Sequence, residues 1–159
     1  MTTLTDLHPR IESLRPCKDA LEWLETLDTD DPAAAWQQCE RGDWLLWVAD
    51  RAGVDRTAVV AAACDCAELA LVHVPAEEDG LRLAIETARA WCRGEATLEE
   101  VHAAADVAYV VAYAAYAVAA VYASYAAYAR ADALRRCADL VRQRITAEMV
   151  VEAMMEETG

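Results

Sequence analysis

Two acidic side chains have a spacing that could serve acid–base chemistry. Asp65 and Glu68 lie on one face of an otherwise apolar helical stretch, AAACDCAELAL. A buried pair of carboxyl groups is an arrangement used in general acid–base catalysis. The competing interpretation is structural: an exposed strip of an amphipathic helix, or a buried aspartate that holds a helix end or an arginine. Asp65 and Glu68 are therefore the candidates for a small-ligand or enzymatic function.

Six cysteines are spread along the chain, and two of them form a C-x-C pair. Residues two positions apart on a helix differ by about 200° of rotation, so the thiolates of Cys64 and Cys66 cannot face one metal ion. The chain begins MTTLTDLHPR, without the basic and apolar regions of a signal peptide. Helical cysteines in such a chain are typical of reduced core thiols in a cytoplasmic protein. The six are Cys17, Cys39, Cys64, Cys66, Cys92 and Cys137.

The motifs of well-known catalytic sites are absent from the sequence. It contains no glycine-rich phosphate loop, no G-x-S-x-G and no H-E-x-x-H. Trp44, Trp47 and Trp91 are candidates for the wall of a ligand pocket, although large aromatic residues at helical spacing are more often core. We therefore assign no catalytic residue, metal or cofactor, and interpret the chain as non-enzymatic. The three histidines, which lie far apart in the sequence, are His8, His73 and His102.

A large excess of acidic residues sets the charge of the chain. It has 28 Asp and Glu against 14 Lys and Arg, a formal net charge of −14. Nucleic acids and anionic membranes attract positive charge, so we predict neither as a direct partner. An acidic surface keeps a protein soluble, and it also suits a protein partner with a basic face. The acidic residues that we predict to contact a partner are Asp28, Asp30, Asp31, Glu77, Glu78, Asp79, Glu148, Glu152 and Glu156.

Composition and capping signals predict an all-α protein. Five glycines and four prolines are few for 159 residues, and 57% of the residues are hydrophobic. Asp31 with Pro32 marks one helix start. Gly42 is expected to break that helix, Asp43 to cap the next one, and Gly53 to end it. Further starts are predicted at Asp55, Asp79 and the capping box formed by Thr97 with Glu100.

The longest uncharged stretch, residues 107–129, reads VAYVVAYAAYAVAAVYASYAAYA. At about 100° per residue its valines fall on one side, while Tyr109, Tyr113 and Tyr116 fall on the opposite side. Two apolar faces separated by alanine predict a central helix that is packed from both sides. A membrane span is the alternative, because the length is sufficient. It is disfavoured because the stretch lacks Leu, Ile and Phe and its tyrosines are spread throughout.

These elements predict a single-domain all-α helical bundle of about six to eight helices with the Ala/Tyr-rich helix at its centre. Residues 1–145 form the predicted helical domain. Residues 146–159 form a C-terminal helix or tail, either mobile or available for docking. Beyond Arg130 the apolar stripe changes, which predicts either a new helix or the same helix after a bend.

Several runs of the sequence resemble the Imm-5-like immunity proteins of bacteria, which also occur in phage and mobile elements. The runs are CERGDWLLWVADRAGVDR, AAACDCAELAL, AIETARAWCRGEATLEE, an Ala/Tyr helix and RCADLVRQRI, within about residues 17–145. The resemblance implies an all-helical fold and a role in neutralising a toxin by binding it, without catalytic residues to transfer. The matching positions include Cys39, Gly42, Asp43, Trp44, Leu46, Trp47, Cys64, Asp65, Cys66, Ala67, Ala84, Ile85, Ala88, Trp91, Gly94 and Glu95.

We therefore predict an acidic cytoplasmic protein that inhibits a protein partner, as an immunity protein neutralises a toxin. Its surplus negative charge would steer it to a basic surface and speed association. One alternative is a phage or mobile-element inhibitor that occupies the basic groove of a nucleic-acid-binding defence complex, as anti-CRISPR proteins do. Another is a small-ligand binder or enzyme that uses Asp65 and Glu68. A structural homo-oligomer is a further possibility.

Overall fold

The computed structural model describes residues 1–69, 71, 76–77, 79–104 and 123–156. These residues form nine α-helical segments and no strand, which confirms the prediction of an all-α fold. The helices are α1 (Leu4–Ser13), α2 (Lys18–Glu25), α3 (Pro32–Gln38), α4 (Gly42–Ala52), α5 (Arg56–Glu68), α6 (Gly80–Cys92), α7 (98–104), α8 (Ala123–Arg144) and α9 (Ala147–Glu156).

Side chains that cap helices explain several of the helix boundaries. The Asp31 carboxylate accepts a hydrogen bond from the Ala33 N–H at 3.1 Å, and Pro32 takes the first position of α3, as predicted. Asp55 caps α5 in the same way. Gly53 ends α4 with a φ of 89°, a conformation that favours glycine. Local sequence chemistry is therefore sufficient to place these three ends.

The start of α4 differs from the prediction. Gly42 is the first residue of α4 and is buried, so it does not break a helix. Arg41 is the N-cap residue, and no side chain caps this helix end. Asp43 lies in the first turn, where its carboxylate receives two hydrogen bonds from Arg41. Glycine is needed at residue 42 because Cys137 of α8 passes directly over it.

The second half of α8 is the centre of the described core. Ala138, Val141 and Ile145, which directly follows the helix, are fully buried, and α8 packs against both α4 and α5. From α4, Leu45 and Ala49 join the same apolar cluster. Burial of apolar surface contributes about 25 cal/mol per Å², so this cluster stabilises the packing of these helices.

The last helix, α9, contributes to this core instead of extending away from it. Val150, Ala153 and Met154 are buried, and α9 packs against α1, α3 and α4. The Arg10 guanidinium of α1 donates a hydrogen bond to the Met154 carbonyl. The apolar side of α9 is thus fixed against three helices, and its glutamates face outward.

Most of the Ala/Tyr-rich stretch lies outside the described residues, since 105–122 are not among them. The predicted central position of that helix therefore stays a prediction. From residue 123 onward α8 is one continuous helix to Arg144, so the change of pattern after Arg130 does not begin a new helix. In the described part of the chain, every helix is too short or too polar to cross a bilayer.

Trp36 joins α3 to the end of α8 through a buried hydrogen bond. Its indole Nε1 donates to the Ile145 carbonyl at 3.1 Å, and the residue is only 7% exposed. We expect Trp36→Phe to lower the free energy of unfolding by about 1 kcal/mol or somewhat more, because a buried carbonyl loses its donor. Urea denaturation measures this. Trp47→Phe, at a half-buried site, is the control, and an equal loss in both variants would contradict the role of the hydrogen bond.

Candidate functional site: a tryptophan-lined cavity

Five helices, α1, α2, α3, α4 and α9, surround an apolar cavity of about 450 Å³. Four of the five tryptophans of the chain line it: Trp23, Trp36, Trp44 and Trp47. Sites for small molecules typically have volumes of about 300 to 1,000 Å³ and mostly apolar walls. This cavity is therefore the principal candidate site in the described part of the chain.

Helical periodicity places the lining side chains. On α2, Ala20, Trp23 and Leu24 follow the i, i+3, i+4 spacing of one face, and all three line the cavity. On α4, Trp44 and Trp47 share the cavity side, as their three-residue spacing predicts. The α9 wall comes from Ala147, Val150, Val151 and Met154.

An ion pair stacked on an aromatic ring forms the polar edge of the cavity. Arg41 donates to Asp43 through Nε at 2.9 Å and through Nη2 at 2.6 Å. The Arg41 guanidinium carbon lies 4.4 Å from the centroid of the Trp44 ring, within the range of cation–π attraction. Trp44 in turn meets Trp23 with ring centroids 6.0 Å apart at 57°. Partial burial raises the pKa of Asp43, but the hydrogen bonds and charge of Arg41, together with backbone hydrogen bonds, lower it by more and hold that pKa below its usual value.

The structure places Asp65 and Glu68 elsewhere, in an ionic cluster that joins three helices. Arg89 of α6 donates to Asp65 at 2.8 Å and to Glu68 at 2.6 Å. Arg144 of α8 donates to both oxygens of Asp65, from Nη2 at 3.2 Å and from Nε. The Asp65 side chain is only 16% exposed. Asp65 therefore holds two arginines, which is the structural interpretation of this acidic pair.

Asp65 is fixed in its ionised form. Burial raises the pKa of its carboxyl group, but the hydrogen bonds and the positive charges of Arg144 and Arg89 together lower it by more, so the net pKa lies below the usual value. The same contacts raise the pKa of Arg89. An acid held in this way is poorly suited to donate or accept protons near neutral pH. Neither Asp65 nor Glu68 belongs to the wall of the cavity.

The C-x-C thiols face different helices, in agreement with their angular separation. The Cys64 Sγ lies 3.9 Å from the Ile85 carbonyl of α6, while the Cys66 Sγ lies 3.6 Å from the Cys137 carbonyl of α8. Burial raises the pKa of Cys64, and a hydrogen bond with Cys137 raises that of Cys66 and lowers that of Cys137. Within the described residues, no three His, Cys, Asp or Glu side chains are grouped for a metal ion. Contrary to the core prediction, Cys17 is exposed.

The acidic residues predicted to contact a partner lie in separate places. Glu77 and Asp79 are exposed on the segment before α6, and Glu78 lies outside the described residues. The segment from Asp28 to Asp31 is also mostly exposed, but part of it is structural: Asp30 accepts hydrogen bonds from the backbone and hydroxyl of Thr5. Only the glutamates of α9 form a row on one helix face. These are Glu148, Glu152 and Glu156, all exposed.

Two lining tryptophans were missed at the sequence level, and one candidate was misplaced. Trp36 and Trp23 line the cavity, whereas Trp91 belongs to α6 and does not. Trp23 could have been found from its position beside Ala20 and Leu24 on the apolar face of α2. No pattern in the neighbouring sequence indicates the position of Trp36, because its hydrogen-bond partner Ile145 is 109 positions away.

No family model, no curated protein and no solved structure matches this chain. The resemblance to the Imm-5-like immunity proteins therefore stays a prediction, based on the D-W-x-x-W and C-D-C-A runs.

Proposed function

We propose that this chain is an acidic, non-enzymatic protein of the cytoplasm that binds and inhibits a protein partner with a basic surface, as an immunity protein neutralises a toxin. The row of Glu148, Glu152 and Glu156 on α9 is the observation that carries the proposal. The opposite face of α9 is buried in the core, so the row is held rigidly at the surface. The six cysteines are free thiols, which fits a reducing compartment.

As a row of like charges the three glutamates weaken α9, although the helix dipole favours Glu148, which lies in the first turn. Like charges four positions apart destabilise a helix by about 0.2 to 0.5 kcal/mol per pair. Glu156 also ends α9, where the helix dipole disfavours negative charge and the last turn has no basic residue. In the described part of the chain none of the three glutamates forms an ion pair. A surface that keeps such a row is well suited to a basic partner.

Several basic residues are paired with acidic groups of the protein itself. Arg89 and Arg144 form ion pairs with Asp65, and Arg41 forms one with Asp43. Arg142 pairs with Asp139 and also donates hydrogen bonds to two backbone carbonyl groups. Each of these ion pairs neutralises one acidic and one basic group, so the net charge stays at −14. The surplus negative charge then faces solvent, where it can steer association with a basic protein.

Replacing Glu148, Glu152 and Glu156 together with glutamine is expected to slow association with the partner about tenfold at low salt, because the steering charge is lost. The difference should shrink at high salt, where charges are screened. The partner is obtained by pull-down from the source organism at low salt, and association is measured by surface plasmon resonance. The partner's own activity should fall when this protein is added.

Glu40, Glu86 and Glu99, all exposed, provide a matched control when they are changed to glutamine, since the net charge changes by the same amount. An equal loss in both triple variants would assign the effect to overall charge and reject α9 as the contact. Capture that is indifferent to salt would reject the electrostatic proposal altogether. If DNA or RNA competes for the captured partner, the partner is a nucleic-acid-binding complex, and a phage or mobile-element inhibitor is favoured over a toxin neutraliser.

A further inference from the structure

We infer that the tryptophan-lined cavity binds a neutral aromatic small molecule, which enters beside α2. The inference is independent of the proposed function, because the glutamate row plays no part in it. The cavity of about 450 Å³ has the size of known small-molecule sites. An apolar ligand that binds only the folded chain would remove the apolar wall from water and stabilise this fold.

The charges around the cavity favour a neutral ligand. Among the described residues that line it, Arg41 and Asp43 alone carry charge, and they neutralise each other through two hydrogen bonds. A charged ligand would therefore lose its hydration without gaining a free counter-charge. The Trp36 N–H is already donated to the Ile145 carbonyl. What the wall offers is apolar area and aromatic faces, which attract the edges and faces of other aromatic rings.

The α2 helix is the wall that is held least firmly. None of its residues is buried, although Trp23 and Leu24 line the cavity. Cys17, the residue before α2, also lines the cavity and is exposed, so the wall reaches solvent at this point. A helix with few buried residues detaches from the rest of a fold at a lower free-energy cost than a well-buried helix does. Displacement of α2 would give a small molecule access, whereas the walls of α3, α4 and α9 have buried residues.

The test uses the neutral dye N-phenyl-1-naphthylamine, whose fluorescence rises when it leaves water. We expect saturable binding by the full chain, quenching of tryptophan emission by energy transfer, and a higher unfolding temperature with the dye. Ala147→Phe, which adds a ring to the α9 wall, should weaken binding about tenfold or more by filling the space. Circular dichroism verifies that the variant is folded. Ala20→Phe, from the α2 wall, decides the question if Ala147→Phe does not fold.

Ala33→Phe is the matched control, because Ala33 is exposed on α3 and does not line the cavity. It should bind the dye like the unmodified chain. The inference is overturned if the chain shows no saturable binding, or if Ala33→Phe weakens binding as much as the cavity-filling variant. The triple glutamine variant of α9 should retain full dye binding, so failure of the proposed function and failure of this inference give different results.

Discussion

Replacing Gly42 with alanine is expected to lower the free energy of unfolding by about 3 kcal/mol, the upper end of overpacking effects. A Cβ at this position would lie 2.4 Å from the Cys137 Cβ, 2.6 Å from the Ala138 nitrogen and 2.7 Å from the Cys137 carbonyl carbon. Two of these atoms belong to the α8 backbone and cannot move aside as a flexible side chain would. The distance between α4 and α8 must therefore increase, and buried Ala138 loses packing contacts. Urea denaturation followed by circular dichroism measures the loss.

Gly94→Ala is the control for this variant. Gly94 has a φ of 74°, and apart from its two chain neighbours no atom of the described residues would lie within 4 Å of an added Cβ. Its substitution should therefore lower stability by about 1 kcal/mol, through backbone strain alone. Alanine also favours helix formation over glycine by about 1 kcal/mol, so a stabilised Gly42→Ala variant would mean that α4 and α8 are not in close contact.

The second large effect is expected from Asp65→Asn, which should lower the free energy of unfolding by about 2 to 3 kcal/mol. The substitution keeps the shape of the side chain but removes the charge that Arg89 and Arg144 share. Both guanidinium groups then lie against a neutral amide in a partly buried place. Thermal and urea denaturation of the two proteins measure the difference.

Glu68→Gln is the matched control, because Glu68 is 48% exposed and, among the described residues, forms an ion pair with Arg89 only. Exposed pairs contribute about 1 kcal/mol or less, so this variant should be nearly as stable as the original. Equal losses for Asp65→Asn and Glu68→Gln would show that the cluster acts as an ordinary surface ion pair.

The effect of Asp65 also has a defined pH dependence. The pKa of Asp65 is lower in the folded protein than in the unfolded chain. The ionised carboxylate therefore stabilises the fold at any pH above its pKa in the unfolded chain, about 3.9. This stabilisation is lost as the pH falls through the pKa in the folded protein. The free energies of unfolding of the original protein and Asp65→Asn should therefore converge in acid. A difference that persists undiminished at low pH would assign the effect to packing instead of charge.

The structural features that could be predicted from the sequence are those that depend on neighbouring residues. The ends at Asp31, Gly53 and Asp55 follow from interactions within a few positions, so their chemistry can be read directly. The all-α class follows likewise from composition. Gly42 was interpreted as a breaker because its flexibility is a local property, whereas the reason for it here is Cys137, which is remote in the sequence.

The candidate site was predictable only in part for the same reason. Trp44 and Trp47 could be identified as a pair from their spacing on one helix. Asp65 could be recognised as an unusual acid in an apolar helix, but not as the partner of Arg144, which lies 79 positions further along. The cavity is a space between five helices, and sequence periodicity shows which face of a helix is apolar without showing what that face meets.

Arg142 contacts residues that the ribosome synthesises long before Arg142 itself. From α8 it donates hydrogen bonds to the Trp36 and Cys39 carbonyls at the end of α3, at 3.0 and 2.7 Å. A nascent chain that has left the ribosome only as far as α6 lacks Arg142, and Leu7 lacks the α9 residues of its core cluster. We therefore expect the first helices to gain lasting order only when α8 and α9 emerge. A molecular chaperone that shields apolar helices would meet this protein mainly before that moment.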